Sequence, residues 1–438
     1  MRRLDASRLT PRRVAFGFGL VAGLVILWNT VTYPSGAGYD AASHQQYADF
    51  VANHLRLPRE SDTAEYYSPP LYYGIAGGLT RLGRGLGLGE PAKLAQLWNV
   101  PMAVGTVALV IALARLLAPR RPWLAAAAAG YVALSPVFTR SFSMFNPEPT
   151  DLFVSALCLY LAARILVARR FGAGAAVALG AALGAGELVR QFALWTLAVV
   201  ALAFVAALAW RPADRRPLLR SALVALAACV VVAGPWYGYR TVNYPNAIFD
   251  RPTVDKPLWE RRPVRFYVDP GLPDLFSRPY RPHMANLAIP ETYTDMWGDW
   301  YGAFAWRRSE VTPSPATRSW LVAQNAIGLV PSFLAVVGWL VLLVRSLRRR
   351  EPPWLLVSLL PLAGIAGYLY FTVSYPVPDG DVLKPTYMLS TLGAWALCFG
   401  WAADRAASRV PRLVAFGLGA LALLDLPFTI YRGSVGLF

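Results

Sequence analysis

Charge is what this chain has least of. Only 15% of its 438 residues are Asp, Glu, Lys or Arg, where a soluble protein carries about 25%. Hydrophobic residues make up 56%, and long apolar runs recur from end to end. A string of soluble domains is therefore excluded, and a polytopic membrane protein is indicated. Acids are scarcer than bases, 25 against 42, for a net charge of +17. That excess does not mark a nucleic-acid binder, because most arginines sit in short turns between apolar runs, where they set topology. Cysteine is nearly absent. Cys158, Cys229 and Cys398 lie far apart inside apolar runs, which excludes a disulfide framework and a cysteine metal site and leaves small buried apolar residues. Histidine is equally sparse, and His54 and His283 read as plain loop residues. No small-residue cleavage site follows the first apolar run, so MRRLDASRLTPRR and the run behind it form an uncleaved first span rather than a signal peptide. Periodic repeats and low-complexity linkers are missing too.

What is present is apolar length. Spans are expected at 14–32, 95–117, 122–138, 150–168, 172–189, 192–210, 217–238, 319–344, 353–375, 385–403 and 411–431, about eleven helices in one transmembrane domain over 1–438. Two long polar stretches interrupt them, 33–92 and 239–318. Residues 71–88 are apolar but short and broken by Arg81, Arg84 and several glycines, so they are expected to lie on the membrane as a juxtamembrane helix. Charge supports this map. With the N-terminus cytoplasmic, the inner turns carry Arg120–Arg121, Arg169–Arg170, Arg211, Arg215–Arg216, Arg348–Arg350 and Arg405, Arg409 and Arg412, as the positive-inside rule requires. Were 71–88 a span, every later basic turn would swap sides.

The chemistry-bearing residues fall on the other, extracytoplasmic face. Loop 33–92 holds Asp40, His44 and Tyr47, spaced i, i+4, i+7 so that they share one face of a helix. Glu65 follows, then Pro69–Pro70 and the Leu71-Tyr72-Tyr73 cluster. Later outer loops bring Asn146, Glu148 and Asp151, then Arg190 and Gln191, then Trp236 to Arg240, and finally Asp379, Asp381, Lys384 and Tyr387. Charges at a membrane boundary are expensive without water, partner or ligand, so a ligand site is expected there. Arg190, Arg240 and Lys384 suit a phosphate head group whose lipid tail lies in the bilayer. Asp40 suits a general base that frees a hydroxyl to attack a sugar carbon with inversion, while cations stabilise the departing phosphate. Simpler roles compete: Asp40 as the N-cap of a 41–54 helix, Glu187 as an i, i+3 partner of Arg190, the 297–306 aromatics as packing. Asp425 lies inside the last span with no evident partner.

At these residues the chain resembles the GT-C superfamily of polytopic glycosyltransferases, in particular the bacterial family-39-like branch with its protein O-mannosyltransferases and aminoarabinose transferases. The resemblance rests on Asp40 after the first span, Pro69-Pro70-Leu71-Tyr72, Asn146 with Glu148 opening the fourth span, the aromatic-Arg element ending at Arg240, and Lys384 with Tyr387 opening a late span. It departs at Ala41, where relatives commonly carry a second acid. It implies an all-α GT-C bundle with juxtamembrane helices in the first outer loop, in a bacterial plasma membrane. Asp40 would be the catalytic base, with His44, Tyr47, Glu65, Tyr72, Glu148, Arg190, Arg240, Lys384 and Tyr387 as substrate contacts. The donor would be a polyprenyl-phosphate sugar and the acceptor a glycan, lipid or protein. Because the chain ends near its last span, acceptor recognition would fall to 239–318. A divalent metal stays open, since some superfamily members use one and others do not. The rival readings are a secondary transporter or lipid flippase, and a non-catalytic partner that binds polyprenyl lipid.

Overall fold

The computed structural model describes residues 10–432 except 39, 170, 245–253, 255, 280–286, 299–314 and 377–382, together with the side chain at 317. Every regular element among the described residues is helical. Helix α1 (Pro11–Thr32) crosses first, and α2 (Ala41–His54), α3 (Pro70–Gly85) and α4 (Ala92–Leu97) follow in the first loop. The bundle continues with α5 (Asn99–Leu117), α6 (Pro122–Leu134), α7 (Pro136–Ser143), α8 (Glu148–Ala168), α9 (Ala173–Val189), α10 (Ala193–Trp210) and α11 (Arg215–Asn243). The large loop contributes α12 (Val264–Val268), α13 (Asp274–Ser277) and α14 (Ala288–Trp297). Helices α15 (Pro315–Arg348), α16 (Pro352–Ser374), α17 (Leu392–Ala407) and α18 (Pro411–Thr429) complete it, with a 3-10 turn at Pro385–Thr391 leading into α17.

The sequence explains many of the boundaries. Proline opens α1, α3, α6, α7, α16 and α18, where its missing N–H costs nothing. Left-handed residues at Leu55 and Arg169 stop α2 and α8. Each of the eleven predicted spans has a helix or helix pair. Among the described residues eight helices are long and apolar enough to cross a membrane, and the α6–α7 pair, bent by 53°, makes a ninth if it crosses as one unit. Helix α9 is apolar but only 17 residues long, and α17 has 16.

Helix α3 is not among the spanning candidates. Its buried residues, Tyr72, Tyr73, Ala76, Gly77, Thr80 and Gly83, form one stripe against α2 and α4. A Cβ on Gly77 would lie 2.6 Å from the Ala48 carbonyl, so glycine is what lets α2 and α3 touch. At the centre, α6 is buried from Leu124 to Leu134 because its alanine-rich surface lets α1, α5 and α17 close on it. The bundle's outside is apolar, for example Leu20 and Leu24 of α1 and Val230 and Val231 of α11, as a lipid-facing surface must be.

Two anchors hold the large loop on this frame. Arg140 of α7 donates to the Asp295 carbonyl at 2.6 Å and reaches its carboxylate at 3.1 Å, both side chains buried. Arg262 donates to the carbonyls of Thr372 and Tyr375 at the end of α16, satisfying groups a helix terminus leaves open.

Candidate active site

Asp40 does not cap α2. It occupies the cap position with φ +51° and its side chain makes no cap bond. Aspartate tolerates this left-handed backbone better than most residues, and the conformation takes the carboxylate off the helix end. It meets Lys384 instead, Oδ2 to Nζ at 2.9 Å, across the mouth of the bundle. The Asp40 side chain is 40% exposed and that of Lys384 only 8%, so the carboxylate faces the open side. Burial pushes the carboxyl upward, but the nearby cations, Lys384 first and Arg190 with it, outweigh it and hold Asp40 below its usual range. Leu383, buried with Phe266, Ala288 and Tyr368, seats the Lys384 segment.

Behind this pair lies a second one. Arg190, at the end of α9, contacts the carboxylate of Glu148 at 2.5 Å, and both are buried. Burial works against the guanidinium's charge, yet Glu148, Tyr73, Glu65 and Tyr387 raise its pKa, so it stays cationic. Tyr387 packs on Phe192 and Phe371 and feels Asp40, Arg190, Glu148 and Glu65 together. A third group joins α2, the loop and α3. The Tyr73 hydroxyl lies 2.8 Å from His44 Nδ1, and Glu65 Oε2 is 3.8 Å from the same nitrogen. Glu65 accepts from Ser68 at 2.7 Å. Tyr47 donates to the Ser68 carbonyl at 3.2 Å and stacks on Tyr73 with ring centres 3.9 Å apart.

Beside Lys384 the bundle is hollow. An apolar cavity of about 580 Å³ lies between α14, α15, α16 and the 3-10 turn, lined by Tyr293, Tyr368, Pro385, Met388, Leu392 and Trp395 among others. Among the described residues no group of three His, Cys, Asp or Glu side chains could hold a metal ion.

The fold has counterparts among solved structures. ArnT from Cupriavidus metallidurans, bound to undecaprenyl phosphate, superposes with a TM-score of 0.51 at 16% identity over 97% of this chain and 66% of its own. The oligosaccharyltransferase AglB from Archaeoglobus fulgidus, in complex with an inhibitory peptide and a dolichol-phosphate, gives 0.55 at 16% over 96% and 56%. The arabinofuranosyltransferase AftD from Mycobacteria gives 0.51 at 16% over 98% and 28%. The fold is that of the GT-C glycosyltransferases. No protein-family model and no curated protein sequence matches the chain. It spans from about a quarter to two thirds of the length of these GT-C structures.

Within the GT-C frame, several expectations need correction. Tyr47 and His44 turn together toward Tyr73, but Asp40 leaves their face because its backbone is left-handed rather than helical. Arg190 pairs with Glu148, not Glu187; the Glu187 carboxylate accepts from Tyr237 at 2.6 Å instead. Asp425 has a partner, the Gln324 amide of α15 at 2.7 Å. Arg240 is buried over the Tyr244 ring at 4.2 Å and near Trp236, within electrostatic reach of Tyr47. Tyr72 is fully buried edge-on to Phe145, while Tyr73, read from sequence as part of the aromatic cluster but not as a substrate contact, meets His44. Helical spacing could have found it, since α3 turns positions 72 and 73 inward together. In the 297–306 cluster the described Trp297 is a packing residue, donating to Ser332 at 2.9 Å; residues 299–306 lie outside the described residues. So do His283, Asp379, Asp381 and the basic-turn Arg170.

Proposed function

We propose that the chain is a membrane glycosyltransferase that moves a sugar from a polyprenyl-phosphate donor to a hydroxyl-bearing glycan, lipid or protein on the extracytoplasmic face, with inversion. The observation that carries this reading is the half-exposed Asp40–Lys384 pair, its lysine next in the chain to Pro385 of an apolar cavity. An acid and a cation meet where water and lipid meet. The isoprenoid tail would occupy the cavity that Pro385 lines, with its phosphate beside Lys384. The lipid phosphates held by ArnT and AglB support this choice of donor.

The chemistry is a single displacement. The acceptor O–H approaches the exposed side of the Asp40 carboxylate. As its oxygen bonds to the anomeric carbon, the proton passes to Asp40. The bond from that carbon to the phosphate oxygen breaks on the opposite face, and the lipid phosphate leaves with the electron pair. Lys384 gives up part of its contact with Asp40 to take the new charge, with the cationic Arg190 behind it. No general acid is needed, because a phosphate already leaves readily when its charge is met. Glu65, Glu148, His44 and Tyr387 shape the sugar side of the site, and Arg240 would reach the lipid phosphate or the acceptor.

The test is a deletion strain complemented with the wild type or with Asp40→Asn, followed by mass spectrometry of envelope glycans and lipid-linked sugars. The wild type is expected to restore a missing glycan and clear its lipid-linked precursor. The variant should express, insert and restore neither. Restoration by Asp40→Asn would remove Asp40 as base. Unaltered glycans with impaired movement of a solute would overturn the enzyme reading.

A further inference from the structure

The loop between α1 and α5 holds a closed ring of side chains to which the displacement above assigns no proton transfer. Tyr47 bonds the Ser68 carbonyl, Ser68 bonds Glu65, Glu65 faces His44, His44 bonds Tyr73, and Tyr73 stacks back on Tyr47. His44 is 3% exposed and Tyr73 is fully buried, so neither hydrogen bond is a surface accident.

A neutral imidazole has one donor nitrogen and one acceptor, and the partner of one fixes the role of the other. Three facts decide the roles here. Glu65 Oε2, at 3.8 Å, is too far from Nδ1 to accept a hydrogen bond from it. That same oxygen already accepts the Ser68 hydroxyl at 2.7 Å. The Tyr73 hydroxyl is fully buried and at hydrogen-bond distance, 2.8 Å, so Nδ1 is the acceptor that keeps its proton from being stranded.

We infer that Tyr73 is a positioning residue that donates to His44 Nδ1 and holds the imidazole in its Nε2–H tautomer, making His44 a hydrogen-bond donor to an oxygen of the sugar-phosphate donor rather than a second base beside Asp40. The groups that face the ring are Tyr73 from α3, Glu65 from the loop and Asp40 from the start of α2. Two of the three are acids, so a second base would be redundant there, whereas a neutral donor is what the cluster lacks. Stacking on Tyr47 explains why the phenol cannot swing away. The catalytic consequence rests on the proposed transfer, but the tautomer itself is readable without turnover.

The chain has three histidines, so His54→Gln with His283→Gln leaves His44 as the sole imidazole. Solid-state NMR of the full-length, 15N-histidine-labelled protein in lipid bilayers at neutral pH then reads each ring nitrogen directly. The expected spectrum has a protonated Nε2 and an unprotonated, hydrogen-bonded Nδ1. Tyr73→Phe keeps the stacked ring and removes only the hydroxyl; it should shift the Nδ1 signal and introduce the second tautomer. In transfer assays the same variant should lower kcat roughly 10- to 100-fold, the range for losing a group that orients a functional histidine, with KM little changed. A protonated Nδ1 in the wild type overturns the inference. So does an unchanged spectrum in Tyr73→Phe, even if its activity falls. Should no transfer be detectable in any variant, the wild-type spectrum still decides the tautomer.

Discussion

Asp40 and Lys384 are 344 positions apart, and each modifies what the other can do. The lysine holds the aspartate ionised against the burial that would neutralise it. The sign of the pH effect follows. A carboxyl depressed in the folded protein contributes stability present above its unfolded pKa, near 3.8, and lost as pH falls through the lower folded value. The base form is therefore fully populated at neutral pH, and Asp40 places no acid limb on transfer above about pH 4. Lys384→Met leaves burial with less opposition. It should move the acid limb of kcat/KM upward and lower kcat at its plateau by roughly 10²-fold or more, as for other lost charge-stabilising donors. A pH–rate profile in bilayers checks both; a limb that stays put would detach Lys384 from Asp40. Sidedness alone predicts that these two residues share a face, because the basic turns and most of the acid-bearing loops alternate along the chain. Their contact was not legible, since it depends on a left-handed Asp40 that helical spacing cannot express. The Arg190 pairing was misread for a related reason. An i, i+3 rule favoured Glu187, but α9 ends at Val189 and Arg190 is extended, which turns its side chain across to α8.

The elements were more legible than the contacts between them. A helix or helix pair stands at each predicted segment, and α3, in the stretch broken by Arg81 and Arg84, is not among the described helices long and apolar enough to cross a membrane. What composition could not reveal is how closely the helices approach, because that depends on which glycine faces which backbone. At Gly338 of α15, an added Cβ would lie 2.0 Å from the Cys398 carbonyl of α17. No side chain can yield there, so the two helices must separate. Gly338→Ala should destabilise the bundle by about 1–3 kcal/mol, the cost of overpacking. Gly417 of α18 has nothing within 4 Å of such a Cβ. Gly417→Ala should be neutral or stabilising by up to about 1 kcal/mol through helix propensity. Denaturant titration in detergent, followed by circular dichroism, compares the two. Equal effects would mean that α15 and α17 do not meet as closely as the fold requires. Gln324–Asp425 teaches the same lesson in polar form: an acid alone in its own span is paired from a neighbouring helix.

For the whole molecule, the question is on which side the site opens. The positive-inside pattern puts loop 33–92 outside and the Arg348–Arg350 turn inside. The helices between them must then make an odd number of crossings. Two of those crossings are weak links. Helix α9, at 17 residues, is about 26 Å long against a hydrocarbon core of about 30 Å, and α6–α7 is bent by 53°. If just one of these failed to cross, the two loops would share a side and the arginine pattern would be violated. Cysteine mapping distinguishes the cases, and the native thiols do not interfere because all three are buried. Glu60 and Arg349 are exposed, so Glu60→Cys and Arg349→Cys, made singly, report the two ends. A membrane-impermeant maleimide on intact cells should label the first, and the second only after permeabilisation. Labelling of both on intact cells would remove a crossing from the bundle. The reverse pattern would turn the whole molecule over, and with it the face on which Asp40 could meet an acceptor.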